Sequence, residues 1–484
     1  MTSPHRIRRL RWQARATTPA DAFALRTLLR VRGDEVHAAF DRALEGMTVG
    51  DEVLQLGRLE LRLDAGSLAA LADSFEEQVE AAAHESVRAA VLQARAAMGR
   101  TAPGVKGDVT QRSASSARRD SLRHYLRTGS FDWTLAGLAP DVAAAALQRA
   151  ASDAATAGDA AEFESMLGTA GPAAQRIGAL LRWLRLLSPA QRSAWVARVT
   201  PQGDSPRVTD ALTALRASLD ADAADLDEHQ AIWLAWPRSA AAAQRAHWYR
   251  GVVEWSGASK PRAAKATQAL VDALNAELGA TPATRVSITP TGPEPARNDL
   301  RAEIDATDTD TDTDSAMLVP MAGLVLVHPY LPRLLEACGL HTPGERSLRA
   351  DALAPACSLL HWLGCGRDET PEFDLPLIKL LLGTAPDAPL TVAPVAPRDA
   401  DRVEAIALLD SVRMHWSALR GTGNDGLRMS FLQRRGLLGR RDGAWHLRMQ
   451  GEAFDMLLAM LPWSIGLIRL PWVPLPLVVE WDTP

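Results

Sequence analysis

The chain has 484 residues, 47% of them hydrophobic and 23% charged, with a formal net charge of -5. That length accommodates two to four domains and a sizeable core, and the acidic balance argues against binding nucleic acid through overall charge. The three cysteines, Cys338, Cys357 and Cys365, are sparse and odd in number, which excludes a disulfide framework and fits a reducing compartment.

The first hundred residues read as an α+β unit. Arg6, Arg8, Arg9, Arg11 and Arg15 make its start locally basic, as a solvated edge does, and these charges interrupt any apolar secretory leader. Residues 6–14 form a candidate strand with Trp12 on one side. Residues 21–45 read as helix with a break near Gly33, because Val36, Phe40 and Leu44 recur every four residues beyond it. Residues 53–63 read as a strand: Leu59, Leu61 and Leu63 alternate with charges, and a bulge near Gly57 reconciles them with Leu54 and Leu56. Ser67 caps a long helix whose stripe is Leu68, Leu71, Phe75, Val79, Val87, Val91 and Met98. Residues 101–120, rich in Gly, Ser, Lys and Arg, read as a flexible linker.

Residues 121–280 are Ala-rich and helical, with breaks at Gly129, Pro140, Gly171, Pro189, Pro201 and Pro237. Short helices of this kind pack as antiparallel pairs. Trp183, Trp195, Trp233, Trp236, Trp248 and Trp255 fill the space that Ala leaves. Residues 281–320 read as a disordered acidic linker. Its DATDTDTDTDS run (residues 305–315) lacks the Gly turn and bidentate Glu of a calcium loop.

Residues 321–484 form a Trp- and Leu-rich, mostly helical domain. Helices are expected to start near Gly323 and to cover residues 351–364, 398–419, 427–435 and 452–461. Strands are expected around Trp445 to Met449, at 465–470 and at 477–481. The apolar stretch 461–479 holds Pro462, Pro471, Pro474 and Pro476. These forbid a continuous helix and hence a membrane span, so buried extended chain is expected. The fold class is therefore mainly α with small β elements.

No catalytic signature emerges. There is no G-x-S-x-G, no phosphate-cradling loop and no H-E-x-x-H. Cys357, His361 and Cys365 share a helical face, but structural zinc wants a fourth ligand in a second short-spaced pair. Buried thiols around a hydrogen-bonded core histidine fit better. His328 and His415 lack a nucleophile in any known pattern. Glu369, Glu372 and Asp374 read as an exposed turn beside Pro371, and Arg434 and Arg435 as cations at a helix end. Neither a metal nor a cofactor is expected.

The order of short motifs after residue 320 resembles the tape measure proteins of contractile injection systems, the phage-tail-like particles of bacteria. GLVL leading to His-Pro is matched by Gly323, Leu324, Val325, Leu326, His328 and Pro329. Leu-Leu-His before a Gly is matched by Leu359, Leu360, His361 and Gly366. Lys-Leu-Leu ending in Gly is matched by Lys379, Leu380, Leu381 and Gly383. His-Trp followed by Phe-Leu-Gln-Arg is matched by His415, Trp416, Phe431, Leu432, Gln433 and Arg434. Leu-Pro-Trp, Pro-Trp and a final Glu-Trp are matched by Leu461, Pro462, Trp463, Pro471, Trp472, Glu480 and Trp481. SLRHYLRTGSFDW (residues 121–133) also looks like a family segment. The chain departs from the pattern at Met321, where the family often has Asn, and at Met429, where an acidic residue is common.

The resemblance implies a non-enzymatic assembly protein, made in the bacterial cytoplasm and incorporated into the particle. Its partners would be tube, baseplate or cap proteins, with neither nucleic acid nor membrane. It would act either as a ruler of tube length or as a compact assembly adaptor or cap; an enzyme with an unrecognised site is the remaining alternative. A fully helical chain of this length would span about 730 Å and the middle region alone about 240 Å, at 1.5 Å per residue. The structural core expected of the last domain is Trp362, Trp416, Phe431, Trp463, Trp472 and Trp481.

Overall fold

The computed structural model describes residues 18–45, 52–56, 61, 63, 67–98, 109–157, 173–199, 206–218, 252, 264–277, 316–349, 351–390, 392–419 and 421–481. The fold is mainly α, with a small five-stranded sheet near the C-terminus. The chain divides into two compact units, residues 1–120 with 137–140, and residues 121–136 with 141–484.

In the first unit Thr18 accepts the Asp21 amide at 3.1 Å and starts α1 (Pro19–Val31), whose first proline needs no donor there. Gly33 opens α2 (Gly33–Glu45), so the helix breaks where its pattern does. Ser67 Oγ accepts the Ala70 amide at 3.2 Å and caps α3 (Leu68–Met98). Phe75, Val79, Ala83 and Val87 of α3 bury against Val36, Ala39, Phe40 and Ala43 of α2. Arg42 spans the same helix pair to Glu76 (2.6 Å) and Glu80 (2.7 Å).

Of the strand expected over 53–63, residues 53–56 are strand and Leu61 and Leu63 are not, while 57–60 and 62 lie outside the described residues. β1 (Glu52–Leu56) pairs antiparallel with β2 (Val109–Ser113), Leu54 opposite Gln111. Leu61 and Leu63 pack on the helical core. β2 falls within the stretch read as linker, and α4 (Ala114–Thr128) begins directly after it. The basic N-terminus and the strand expected at 6–14 lie outside the described residues.

In the second unit, α4 ends at Gly129, whose φ of +71° is open to glycine at little cost. Asp132 Oδ1 then caps α5 (Trp133–Ala136) by accepting the Leu135 amide at 3.1 Å. There follow α6 (Pro140–Ala157), α7 (Ala173–Leu186), α8 (Pro189–Val199), α9 (Pro206–Ser218) and α10 (Ala264–Glu277). Pro140 and Pro189 sit at helix starts, where the missing N–H is an orphan anyway. Trp183 and Trp195 are buried. The breaks at Gly171, Pro201 and Pro237, the tryptophans at 233, 236, 248 and 255, and the aspartate run lie outside the described residues.

The last part of the unit is built on a sheet of order β3-β4-β5-β7-β6. Its strands are β3 (Met317–Val319), β4 (Gly436–Arg441), β5 (Ala444–Met449), β6 (Leu467–Ile468) and β7 (Leu477–Trp481). β5 and β7 are parallel, with Leu447 opposite Val479, and the other pairs are antiparallel. β3 lies in the stretch read as acidic linker. β4 has no apolar alternation in its second half, Gly-Arg-Arg, and so gives no strand signal. Asp442–Gly443, both at positive φ, closes the β4–β5 hairpin as a two-residue turn.

Around the sheet pack α11 (Leu331–Ala337), α12 (Leu353–Cys365), α13 (Pro376–Leu381), α14 (Asp399–His415) and α15 (Asn424–Leu427). Three expected α-helices are tighter or looser. Ala322–Tyr330 and Ala453–Met460 are 3₁₀, and Arg428–Leu432 is a π turn. The stretch 461–479 runs partly exposed as β6, turns and β7. Among the described residues no helix is long and apolar enough to cross a membrane.

Candidate functional site

The short motifs of the last 165 or so residues interlock in space. A Cβ on Gly323 would stand 1.7 Å from the Phe431 carbonyl oxygen, so the GLVL segment and the Phe-Leu-Gln-Arg segment touch backbone to backbone. Gly383, at φ +80°, faces the Trp472 carbonyl oxygen at 2.5 Å from where its Cβ would lie. Gly366, at φ +74°, ends α12 in the left-handed conformation and returns its N–H to Trp362.

Tryptophans pin the short helices. Trp463 Nε1 donates to Leu326 O at 2.9 Å. In a 3₁₀ turn that carbonyl expects the N–H of residue 329, and Pro329 has none. Trp472 Nε1 donates at 2.8 Å to Leu381 O, an orphan at the end of α13. Trp416 Nε1 donates to Leu457 O at 3.1 Å, and its ring meets Phe431 edge-on at 4.9 Å. Trp481 Nε1 donates to Asp455 Oδ2 at 2.9 Å. Trp362 is half-buried between the guanidinium groups of Arg428 (4.9 Å) and Arg402 (5.8 Å). Trp416, Phe431 and Trp472 lie in the buried core, while Trp362, Trp463 and Trp481 pack against its edge.

Three buried polar clusters hold the same unit together. The first joins α7 to the C-terminal part. Arg182, 1% exposed, donates from Nε (3.0 Å) and Nη2 (2.9 Å) to Glu372 Oε1. Its Nη1 reaches the Leu126 and Arg127 carbonyls and its Nη2 also reaches Asp387 O. Lys379 Nζ donates to Glu372 Oε1 at 2.7 Å and to Ala388 O at 2.6 Å. Burial would raise the Glu372 carboxyl, but Lys379 and Arg182 outweigh it and hold it below the usual range. Phe373 stacks on Phe131 at 4.3 Å alongside.

In the second, Asp374 accepts from His361 Nε2 and Arg367 Nη2, both at 3.1 Å, and Cys365 lies beside the imidazole. Burial lowers the His361 imidazole, yet the Asp374 hydrogen bond and Cys365 raise it to about 9. The third is a bidentate pair: Arg434 Nη1 to Asp455 Oδ1 (2.8 Å) and Nη2 to Asp455 Oδ2 (3.1 Å). Asp455 also accepts the Glu452 amide at 2.7 Å, which closes a capping box.

These clusters correct two expectations. Glu372 and Asp374 are buried, and Glu369 alone of that trio is exposed, because the partners of Glu372 and Asp374 come from α7, α12 and α13. Arg434 is a buried ion-pair partner because the chain beyond the π turn becomes β4. Arg435 donates to Ala136 O at 3.1 Å. His328 donates its Nδ1–H to Val325 O, and His415 Nδ1 meets the Tyr330 hydroxyl at 2.9 Å. Cys357 is buried and its thiol pushed up to about 12 by desolvation. Among the described residues no group of three or more His, Cys, Asp and Glu is arranged to hold a metal ion.

One surface stands apart. Residues 453–467 carry a single charged side chain, Asp455, and it is buried. Phe454, Met456, Met460 and Leu467 are each more than half exposed on this run. Large apolar side chains exposed close together along the chain make this run a candidate interaction surface.

A unit that pairs its buried ionic clusters internally and exposes apolar side chains along 453–467 combines features of a structural, partner-binding protein. Over residues 4–481 the chain matches the model of the contractile injection system tape measure protein family, and it belongs to that family. The family is a structural one. No curated protein and no solved structure matches the chain.

Proposed function

We propose that this protein governs growth of the particle's tube by binding other particle components through its C-terminal unit. Family membership supports association with the particle. The observation that carries the mode of action is the Arg182–Glu372–Lys379 cluster. It fastens α7 to the C-terminal part of the chain by buried hydrogen bonds across some 190 residues of sequence. Helices held in this way build a docking body; they do not pay out as an extended measure. Compact adaptor action is therefore the mode we favour over a literal ruler. The contact surface on this reading is the run of Phe454, Met456, Met460 and Leu467, with a particle protein as its occupant.

Removal of the protein, followed by electron microscopy, is the first test: particles of normal number and tube length would overturn the proposal. Met456→Glu and Phe454→Glu test the surface. Both side chains are exposed, so the variants should fold normally while particle assembly falls sharply. Normal assembly by both would rule this surface out.

A further inference from the structure

We propose that Cys365 is a reactive thiol, held ready by His361, Asp374 and Arg367 to capture a small-molecule disulfide as a mixed disulfide. Cys365 is the last residue of α12 and is partly exposed. The thiol donates to the His361 carbonyl oxygen at 3.1 Å, a bond it gives up on ionising, and its Sγ lies 3.5 Å from His361 Nδ1 and 3.7 Å from Nε2. The sulfur is thus nearly equidistant from the two ring nitrogens. In that position the imidazolium acts on it as a neighbouring positive charge; an in-line proton relay, as hydrolytic cysteine enzymes need, is not formed. The ring is fixed from its other side by Asp374, which is buried and accepts from Nε2 at 3.1 Å.

Other charges around the thiol favour its anion. Arg367, two residues on, is a further cation that favours the anion, and its guanidinium is tied to Asp374 at 3.1 Å. A thiolate at a helix C-terminus meets the negative end of the dipole. Here Arg428, reaching over from the π turn, donates to the Leu363 and Trp362 carbonyls and offsets that end. Nearby, Asp368 pairs with Arg402 and Asp425 with Arg428, so neither carboxylate is left uncompensated. Burial raises the Cys365 thiol, but His361 first and Arg367 second bring it below its ordinary value. Cys338 and Cys357 go the other way, each pushed up to about 12 chiefly by burial.

The chemistry balances as thiol–disulfide exchange. The Cys365 thiolate attacks one sulfur of R–S–S–R. A Sγ–S bond forms, the S–S bond breaks, and R–S⁻ leaves and takes up a proton from solvent. Cys365 is oxidised and one half of the disulfide is reduced. No further oxidant enters.

The test uses the full-length native protein and an aromatic disulfide, dithiobis(nitrobenzoate), with the rate of thiol release followed from about pH 5.5 to 9. One thiol per chain is expected to react fast. It should stay fast near pH 6.5, where a free thiol with pKa about 8.5 has lost roughly 99% of its thiolate. Mass spectrometry of the product should place the label on Cys365, and Cys365→Ser should remove the fast phase. His361→Gln should slow labelling at pH 7 by tenfold or more and move the profile to alkaline pH. If that variant does not fold, the profile of the unaltered protein decides alone. A profile with the midpoint of a free thiol would overturn the inference. So would labelling that survives Cys365→Ser, or no labelling before denaturant exposes all three thiols.

Discussion

Gly323 has no room for a side chain. A Cβ there would lie 1.7 Å from a backbone oxygen, which cannot swing aside as a side-chain tip would. Gly323→Ala is therefore expected to cost at or above the ~3 kcal/mol upper end of ordinary overpacking. Chemical denaturation, followed by the fluorescence of the core tryptophans, checks it. Met321, two residues earlier, sits at φ 51° and is buried. Gly, and after it Asn, suits left-handed backbone better than Met does. Relieving that backbone would gain about 1–2 kcal/mol, against about 2–5 kcal/mol lost with a buried Met side chain. Met321→Gly should thus lose about 2 kcal/mol net, within a range of about 0–4 kcal/mol. His328 carries a pH signature. Burial lowers its imidazole below the ordinary 6.5, so the folded state keeps it neutral while the unfolded chain protonates it. Its contribution is complete above about pH 6.5 and is lost as pH falls through the folded value. The melting-temperature difference between the unaltered protein and His328→Gln should therefore shrink on going from about pH 7.5 to about pH 5. A constant difference would show that the imidazole is solvated.

At the level of elements, the tryptophans replace hydrogen bonds that short helices cannot make for themselves. Trp472→Phe keeps most of the ring and its packing but leaves Leu381 O without its donor. A loss of about 1–3 kcal/mol is expected, less than the ~3–5 kcal/mol of Trp→Ala; equal losses for the two would mean that the hydrogen bond does not matter. Much of this was legible beforehand. Helical stripes such as Phe75, Val79 and Val87 and the alternation at Trp445, Leu447 and Met449 report burial by periodicity alone, and the structure puts α3 and β5 there. The 3₁₀ and π segments were not legible, since their residues are ordinary helix formers and the geometry comes from Pro329 and from the contact at Gly323. β4 was hidden because its outer half, Gly-Arg-Arg, carries no apolar alternation. The buried state of Glu372 was hidden for another reason. Its guanidinium partner lies 190 residues upstream in a helix that reads as generic, and no local pattern marks one arginine among many. Cys365 and His361 were visible as neighbours on a helical face. The carboxylate that orients the ring was visible only as part of an apparent surface turn.

On the scale of the second unit, the decisive balance is between one buried anion and two buried cations. Glu372→Gln would leave Arg182 and Lys379 facing each other without it, and breaking a buried pair in this way typically costs about 3–5 kcal/mol. Lys379→Met should cost less, because Arg182 still compensates Glu372, the methionine fills the space and a single carbonyl, that of Ala388, loses its donor. Measured by denaturant unfolding, that order separates a charge-balanced lock from ordinary packing, which would penalise the larger volume change at Lys379 more. The same lock decides how the protein acts in the particle. If residues 121–280 measured tube length, deleting α8 and α9 would shorten every tube in proportion, by up to about 1.5 Å for each residue removed. If α7 is instead part of the docking body, tube length among the particles that form should not track the number of residues removed. The triple variant Arg182→Met, Glu372→Leu and Lys379→Met removes all three charges and leaves apolar filling. It should keep the fold near its original stability, and it should restore assembly if docking needs only the shape of the unit. Tubes shortened in register with the deletion, with the buried cluster intact, would overturn the docking role and establish the ruler.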